Sequence, residues 1–251
     1  MIALLDMDIF AFRSACTVPD PNEFWIAKAR LKESIERTLN EVKATEYIGF
    51  LSGDASTNFR YRIYPEYKAN RKDQIRPVHL EPLKEYLVKE WSAKVTEGYE
   101  ADDGIGIALT SHPDAIVCSI DKDLLQLPGK HWNFVKDQYS EVTEWEGLQR
   151  FYAHILQGDA SDNIKGVKGI GRVKSWKAIV GCKDEGDLLR TCLNRFQLEE
   201  TNFIQTASLI YVLRKEKEHW ITKPVVKKLI APEVLRRLEV LLSGSSQLET
   251  E

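Results

Sequence analysis

Apolar positions follow two rhythms along this chain. In the first, short apolar runs end at or just before an acid. Residues 2–6 read IALLD and close on Asp6; 47–52 read YIGFLS and stop short of Asp54; 114–120 read DAIVCSI and stop at Asp121. Runs of this length, bounded by polar residues, predict buried strands. In the second rhythm, apolar residues recur every three or four positions. EFWIAKARLKESIERTLNEVK, VHLEPLKEYLVKEW, EADDGIGIALTS and EGLQRFYAHILQ all fit amphipathic helices. EADDGIGIALTS opens on acids, which favour a helix N-terminus. AKVTEG is a weaker strand signal, and HWNFVKDQYSEVTEW holds two short strands around a turn. From about residue 184 the pattern is helical: LLRTCLNRF, TNFIQTASLIYVLRKEKE and PEVLRRLEVLL. SGSSQLETE reads as a disordered tail.

Strands alternating with helices predict an α/β fold with a mostly parallel sheet covered on both faces. In such sheets, sites gather beyond the carboxyl ends of the strands. Asp6, Asp54 and Asp121 each stand at or just past such an end. Three separate pieces of sequence are thereby expected to deliver carboxylates to one edge of one sheet.

Composition excludes several classes. The 251 residues are 43% hydrophobic and 29% charged, as in ordinary globular proteins. Cys16, Cys118, Cys182 and Cys192 form no C-x-x-C pair, and the histidines do not cluster near them. A zinc site or disulfide framework is not expected, and a reducing, cytoplasmic setting is. The apolar N-terminal run is broken by Asp6 and Asp8 and has no basic leader, so it does not read as a signal peptide. No apolar stretch approaches membrane-spanning length.

The net charge of −3 first argues against a nucleic-acid partner. The acids, however, are concentrated in Asp6, Asp8, Asp54, Glu100, Asp102, Asp103, Asp121, Asp123, Asp159 and Asp162. If cations neutralise these clusters, the remainder is net positive and suits a phosphate backbone. Carboxylates so close together repel and raise each other's pKa unless cations sit among them. Oxygen ligands without His or Cys suit Mg²⁺ or Mn²⁺, and two such ions are a known solution to phosphodiester hydrolysis. Taken singly, each acid also fits a blander role: Asp102 and Asp103 at a helix start, Asp159 or Asp162 in a turn, Asp121 at a strand end.

Two stretches are basic. Residues 58–76 carry Arg60, Arg62, Lys68, Arg71, Lys72 and Arg76, with Phe59, Tyr61, Tyr64 and Tyr67 interleaved. Cations with rings suit single-stranded nucleic acid, and fit equally a surface segment whose tyrosines pack on the core. Residues 164–183 hold Lys165, Lys168, Arg172 and Lys174 and no acid, with Gly166, Gly169 and Gly171 ahead of a short helix, VKSWKAIV. Glycines permit close backbone approach, and amides at a helix start face phosphate; a plain turn between helices has the same appearance.

Four blocks together resemble the 5′-nuclease family: phage 5′→3′ exonucleases, flap endonucleases and the 5′-nuclease domains of bacterial DNA polymerases. LLDMDIFAFR matches the first-strand block, with Asp6 and Arg13. GDASTNFRYRIYPEYKANR matches the second aspartate and the arch block, with Asp54, Tyr67, Lys68 and Arg71. GYEADDGIGIAL and SIDKDLLQL match the central acids Glu100, Asp102, Asp103, Asp121 and Asp123. GDASDNIKGVKGIG matches an acidic pair, Asp159 and Asp162, followed by the glycine loop of a helix–three-turn–helix element. The blocks depart from the family pattern in places. Met7 stands where glycine is usual, with Asp8 next, either a metal ligand or structural. Lys165 replaces a proline, and Arg172–Val173 departs from the block's usual tail.

The resemblance implies a PIN-like catalytic domain over 1–157 with an arch at about 57–92. It further implies a helical DNA-binding region over 158–242, with the helix–three-turn–helix at about 158–182, and leaves the tail at 243–251. It implies a monomeric Mg²⁺-dependent 5′-nuclease, Mn²⁺ substituting, acting on DNA with a 5′ end, flap or nick, or on an RNA–DNA hybrid. A phage role in replication or recombination, in the host cytoplasm, goes with it, and no sliding-clamp motif is evident. Asp6, Asp54, Glu100, Asp102, Asp103 and Asp121 would hold the tighter metal, with Asp123, Asp159 and Asp162 nearer a second. Asp6, Asp121, Lys68 and Arg71 would be catalytic. Arg13, Arg60, Tyr67, Lys68 and Arg71, with Gly166, Lys168, Gly169, Gly171, Arg172 and Lys174, would contact DNA. A K⁺ ion would sit at the glycine loop. Two rivals remain. LLDMDIF also looks like the D-x-D start of a haloacid-dehalogenase-type phosphatase, and the chain could be a non-catalytic binder of DNA junctions.

Overall fold

The computed structural model describes residues 1–243, which form two compact units, neither continuous in sequence. The first contains Met1–Ala55, Gln74–Glu144 and Val212–Glu216; the second contains Ser56–Asp73, Trp145–Tyr211 and the residues from Lys217 onward. The sequence reading puts 57–92 in one arch attached to the catalytic domain. The structure divides that stretch. Residues 56–73 join the second unit, while α4 (Leu80–Trp91) sinks Leu83 and Leu87 into the core of the first. Of the tail expected over 243–251, only Ser243 is described, closing the last helix; the rest lies outside the described residues.

The first unit is a six-stranded sheet in the order β3-β2-β1-β4-β5-β6. Its strands are β1 (Ile2–Asp6), β2 (Glu46–Leu51), β3 (Lys94–Val95), β4 (Ile116–Cys118), β5 (Gly129–Asn133) and β6 (Gln138–Val142). All neighbours are parallel except the β5–β6 hairpin. The sheet is thus mostly parallel and flanked by helices, as the sequence pattern predicts. Alternation sorts the strand residues to two faces. Ala3, Leu5, Ile116 and Cys118 pack with α1 (Met7–Cys16), α2 (Phe24–Glu41) and α4 through Phe10, Leu31, Ile35 and Leu83. Leu4 and Val117 pack on the other face with Ile105 and Leu109 of α5 (Ala101–Ser111) and with Val212.

Two glycines set how close α5 lies. A Cβ on Gly104 would fall 2.6 Å from the Phe50 ring, and one on Gly106 would fall 2.3 Å from the Leu213 carbonyl oxygen. Met7, the departure from the family's glycine, is fully buried, and its side chain lies over Gly49, where a Cβ would come within 2.5 Å of Met7 Cε.

The second unit is mainly helical: α3 (Phe59–Ile63), nearly all of α6 (Glu144–Gln157), α7 (Arg172–Ile179), α8 (Glu185–Arg195), α9 (Glu200–Ile210), α10 (Pro224–Leu229) and α11 (Pro232–Ser243). Its only ladder among the described residues is β7 (Gly158–Asp159) with β8 (Ile164–Lys165), antiparallel. Trp220 is its buried hub, with the rings of Phe151, Tyr152 and Phe203 around it. The helix α1, with its N-terminus capped by Asp6, and the short α3 and α10 are absent from the sequence reading, and the helix expected over TNFIQTASLIYVLRKEKE ends at Ile210. No helix among the described residues is long and apolar enough to cross a membrane.

Candidate active site

Parallel register brings the acids of the first unit to one edge. Asp6 pairs across from Phe50, and Leu5 from Cys118, so β1, β2 and β4 end level with one another. Asp54 follows β2 by three residues and Asp121 follows β4 by three, while Glu100 is the N-cap of α5.

Asp6 is the buried centre, 2% exposed. It caps α1 by accepting from Ile9 N at 3.2 Å, and Ser119 Oγ donates to its other oxygen at 2.7 Å. Burial pushes the Asp6 carboxyl up to about 7; the nearby charges of Asp8 and Asp121 push the same way, against the Ser119 and Ile9 hydrogen bonds.

Two serines clip the acidic segments together, and sequence reasoning had no signal for either. Ser119 Oγ, besides donating to Asp6, accepts from Asp121 N at 3.0 Å, and Asp123 N donates to Asp121 Oδ1 at 2.8 Å. Ser52 N donates to Asp8 Oδ2 at 2.8 Å, while Ser52 Oγ accepts from Ala101 N at 2.9 Å. Ser52, just past β2, therefore ties α1 to the start of α5. The adjacent Gly53 has no room for a side chain: its Cβ would lie 2.1 Å from the Thr96 carbonyl oxygen.

The neighbours Asp102 and Asp103 separate. Asp102 is half-buried, whereas Asp103 is fully enclosed. One Asp103 oxygen accepts from Glu100 N at 3.0 Å, closing a capping box, and the other from Leu213 N at 2.9 Å. Asp103 is spent on backbone amides, as the plain helix-start reading expects. Arg13 stands exposed in the last turn of α1.

In the second unit the acids have partners. Asp159, 8% exposed, accepts from Ser161 N at 2.7 Å and Ser161 Oγ at 2.5 Å, with His154 Nε2 at 3.3 Å from its other oxygen. Burial alone would raise this carboxyl; His154 and Ser161 outweigh it and hold it well below the usual carboxylate range. His154 also went unnoticed in the sequence. Asp162 accepts from Tyr67 Oη at 3.0 Å and is ion-paired with Lys68 at 3.6 Å and with Arg71. Arg71 Nε and Asn70 Nδ2 further donate to the carbonyls of Ser161 (3.0 Å) and Ala160 (2.8 Å). The arch block is thereby fastened onto the turn that carries Asp159 and Asp162.

Two residues expected at the DNA surface are inside. Arg60 is 3% exposed, its guanidinium donating to the Leu209 and Tyr211 carbonyls at 2.8 Å each. These acceptors lie at the end of α9, where carbonyls lack intrahelical donors, so Arg60 acts as a buried cap. Tyr67 is 2% exposed and stacks edge-on to Tyr61. For Tyr67 the packing alternative describes the structure; neither reading expects a buried Arg60.

The glycine loop divides likewise. Gly166 is required by packing, since its Cβ would lie 2.3 Å from Gly158 N across the β7–β8 ladder. Gly169 is required by backbone, with φ +78°, and opens on free space, as does Gly171, the N-cap of α7. Lys168 and Arg172 are exposed, while Lys174 Nζ donates to the Gly169 carbonyl at 2.9 Å.

Comparison with known proteins gives the family and the fold. Residues 2–153 match the family model described as 5′-3′ exonuclease, N-terminal resolvase-like domain. A 5′-3′ exonuclease of Bacillus subtilis is 34% identical over 146 residues, covering 49% of this chain and 48% of that protein. Flap endonuclease Xni of Shewanella putrefaciens is 28% identical over 174 residues, covering 63% and 66%. The matches thus span about half to two thirds of these relatives. Among solved structures, the T5 5′-exonuclease with bound zinc shares the fold at TM-score 0.64 and 18% identity, over 96% of this chain and 98% of that one. A bacteriophage T5 flap endonuclease in a complex with DNA and metal ions does so at TM-score 0.65 and 17% identity, with the same coverage. With a family match over more than half its length, this chain belongs to the 5′→3′ exonuclease family.

Proposed function

We propose that this chain is a divalent-cation-dependent 5′-nuclease, hydrolysing DNA phosphodiesters at or near a 5′ end. The observation that carries the reading is Asp6: a buried carboxylate, with the charge of Asp121 nearby, at the level ends of three parallel strands. An arrangement so poorly compensated fits a cation, and an all-oxygen donor set fits Mg²⁺ or Mn²⁺. Asp6, Asp54, Glu100, Asp102, Asp121 and Asp123 are the proposed ligands. Asp103 is left out because both its oxygens serve backbone amides. Bound there, cations would supply Lewis acidity and charge stabilisation at the phosphate.

The chain's own residues do the rest. Asp6, whose carboxyl burial pushes up to about 7, would hold a cation in its ionised form. Ser119 and Ser52 hold the carboxylates in place for it. Lys68 and Arg71 exchange Asp162 for substrate phosphate and stabilise its developing charge. Lys168, Arg172 and the uncrowded backbone at Gly169 and Gly171 hold duplex by its backbone, without reading sequence. A K⁺ ion at this loop belongs to the same reading, as do DNA flaps, nicks and RNA–DNA hybrids as substrates and a role in phage replication. The solved relative complexed with DNA and metal ions supports DNA as the partner. The phosphatase alternative needs Asp8 as a mobile acid over Asp6, whereas Asp8 is held by Lys84 and Ser52 N.

The test is a product ladder from 5′-labelled flap, nicked and blunt duplexes, and an RNA–DNA hybrid, with Mg²⁺ and with chelator. Mg²⁺-dependent cutting near the 5′ end is expected, stronger with K⁺ present. No cleavage of any substrate in Mg²⁺ or Mn²⁺ would sink the proposal.

A further inference from the structure

Asp8 is the acid that the D-x-D spacing adds beside Asp6, two residues on, and its side chain is not pointed at the same task. Its Oδ1 is shielded from solvent and lies 2.7 Å from Lys84 Nζ. The contact is an ion pair rather than an aligned hydrogen bond. Its Oδ2 accepts from Ser52 N at 2.8 Å. Both oxygens are thus occupied by groups of the protein. Lys84 is itself only 26% exposed and is carried by α4, whose Leu83 and Leu87 are locked in the core, so the ammonium is delivered from a rigid helix.

We infer that Lys84 is a positioning residue that withdraws Asp8 from the cation-binding pit and thereby limits its affinity for cations. This rests on the metal reading of the pit. A carboxylate two residues from Asp6 would otherwise add a seventh acid to the proposed ligands. Paired with Lys84, it adds no net charge, and its oxygens anchor the segment that leads into Asp54. The pair therefore does two things at once: it links α1 to α4 and to the end of β2, and it keeps the pit from binding cations so tightly that turnover suffers.

The experiment is calorimetric titration of Mn²⁺ into the whole protein without DNA, beside cleavage rates measured against Mg²⁺ concentration. Lys84→Met frees Asp8; Mn²⁺ affinity is expected to rise roughly tenfold, or one more ion to bind, and half-maximal Mg²⁺ for cleavage to fall. Lys84→Arg should behave as the unaltered protein. The double change Asp8→Asn with Lys84→Met removes the pair as a unit and should restore the original stoichiometry and affinity within about threefold. Unchanged or weaker Mn²⁺ binding in Lys84→Met overturns the inference, as does loss of a bound ion in the double variant. The double variant decides the matter by itself if Lys84→Met fails to fold. Absence of Mn²⁺ binding by the unaltered protein would overturn the metal reading and this inference with it.

Discussion

The strand-end aspartates of the first unit and the aspartates of the β7–β8 segment share a simple acidic signature in sequence, yet their surroundings act on them in opposite directions. Asp6 is buried with Asp8 and Asp121 nearby, and its carboxyl is pushed up to about 7. Asp159 is buried with His154 and Ser161, and its carboxyl is pulled below the usual range. Asp162 in turn is held by Tyr67, Lys68 and Arg71. Burial raises both carboxyls; the supply of donors decides the outcome. A buried carboxylate that its hydrogen bonds do not bring back to the usual range is suited to an external cation. A turn rich in donors holds the basic segment in register.

The largest expected break of this contrast is Asp121→Asn. If the pit works by holding cations, Mg²⁺-dependent cleavage should fall by roughly a thousandfold or more in single-turnover assays. Duplex binding in Ca²⁺ should stay within about threefold of the original, since the glycine loop is untouched. Retained cleavage would place the chemistry elsewhere.

Next is the pH dependence of stability without cations, where the two acids should give opposite slopes. The native state keeps the Asp6 proton up to about 7, whereas an unfolded aspartate releases it near 3.8. Between those values the native state binds more protons, so Asp6 makes stability decline as pH rises, by a few kcal/mol at most, and flat above about 7. Asp159 has the opposite sign. Its contribution is present above about 4 and is lost as pH falls below that. Urea unfolding across pH 3–8 would show the decline, and Asp6→Asn should flatten it. A decline that survives this change would mean that another group is responsible. Added Mg²⁺ should stabilise the protein more at pH 7.5 than at pH 5.

Arg60→Met tests the donor-rich unit. Removing the guanidinium strands two buried carbonyls, and a loss of about 2–3 kcal/mol of stability is expected by urea unfolding. If DNA affinity falls while stability is unchanged, Arg60 belongs to the surface after all. The smallest effect separates two glycines. Gly169→Ala must hold a positive φ and should cost about 1 kcal/mol, with weaker duplex binding; Gly171→Ala, at φ −96°, should cost a few tenths at most. Equal effects would remove the conformational argument.

Much of the fold was legible in the pattern. The strands containing Asp6, preceding Asp54 and preceding Asp121 lie where the apolar runs put them, because a buried strand needs apolar residues on both faces and this shows within a few positions. The amphipathic helices α2, α4, α5 and α6 follow from a similarly local period. Less legible was which of two like residues serves which purpose. Arg60 and Arg71 share one basic stretch, yet one caps α9 from inside and the other stands on Asp162. Asp102 and Asp103 are adjacent, yet it is Asp103 that takes the Leu213 amide.

The sequence by itself determined the α/β order of elements, the strand-end placement of Asp6, Asp54 and Asp121, and the motif set that marks the family. These depend on neighbours a few residues away. Only the tertiary structure decided which charges are compensated. Ser52 meets Asp8 across 44 positions, Ser119 meets Asp6 across 113, and Lys84 reaches Asp8 from another helix. A carboxylate's energy is set by whatever donors lie within a few ångströms, and only the folded chain brings those donors there.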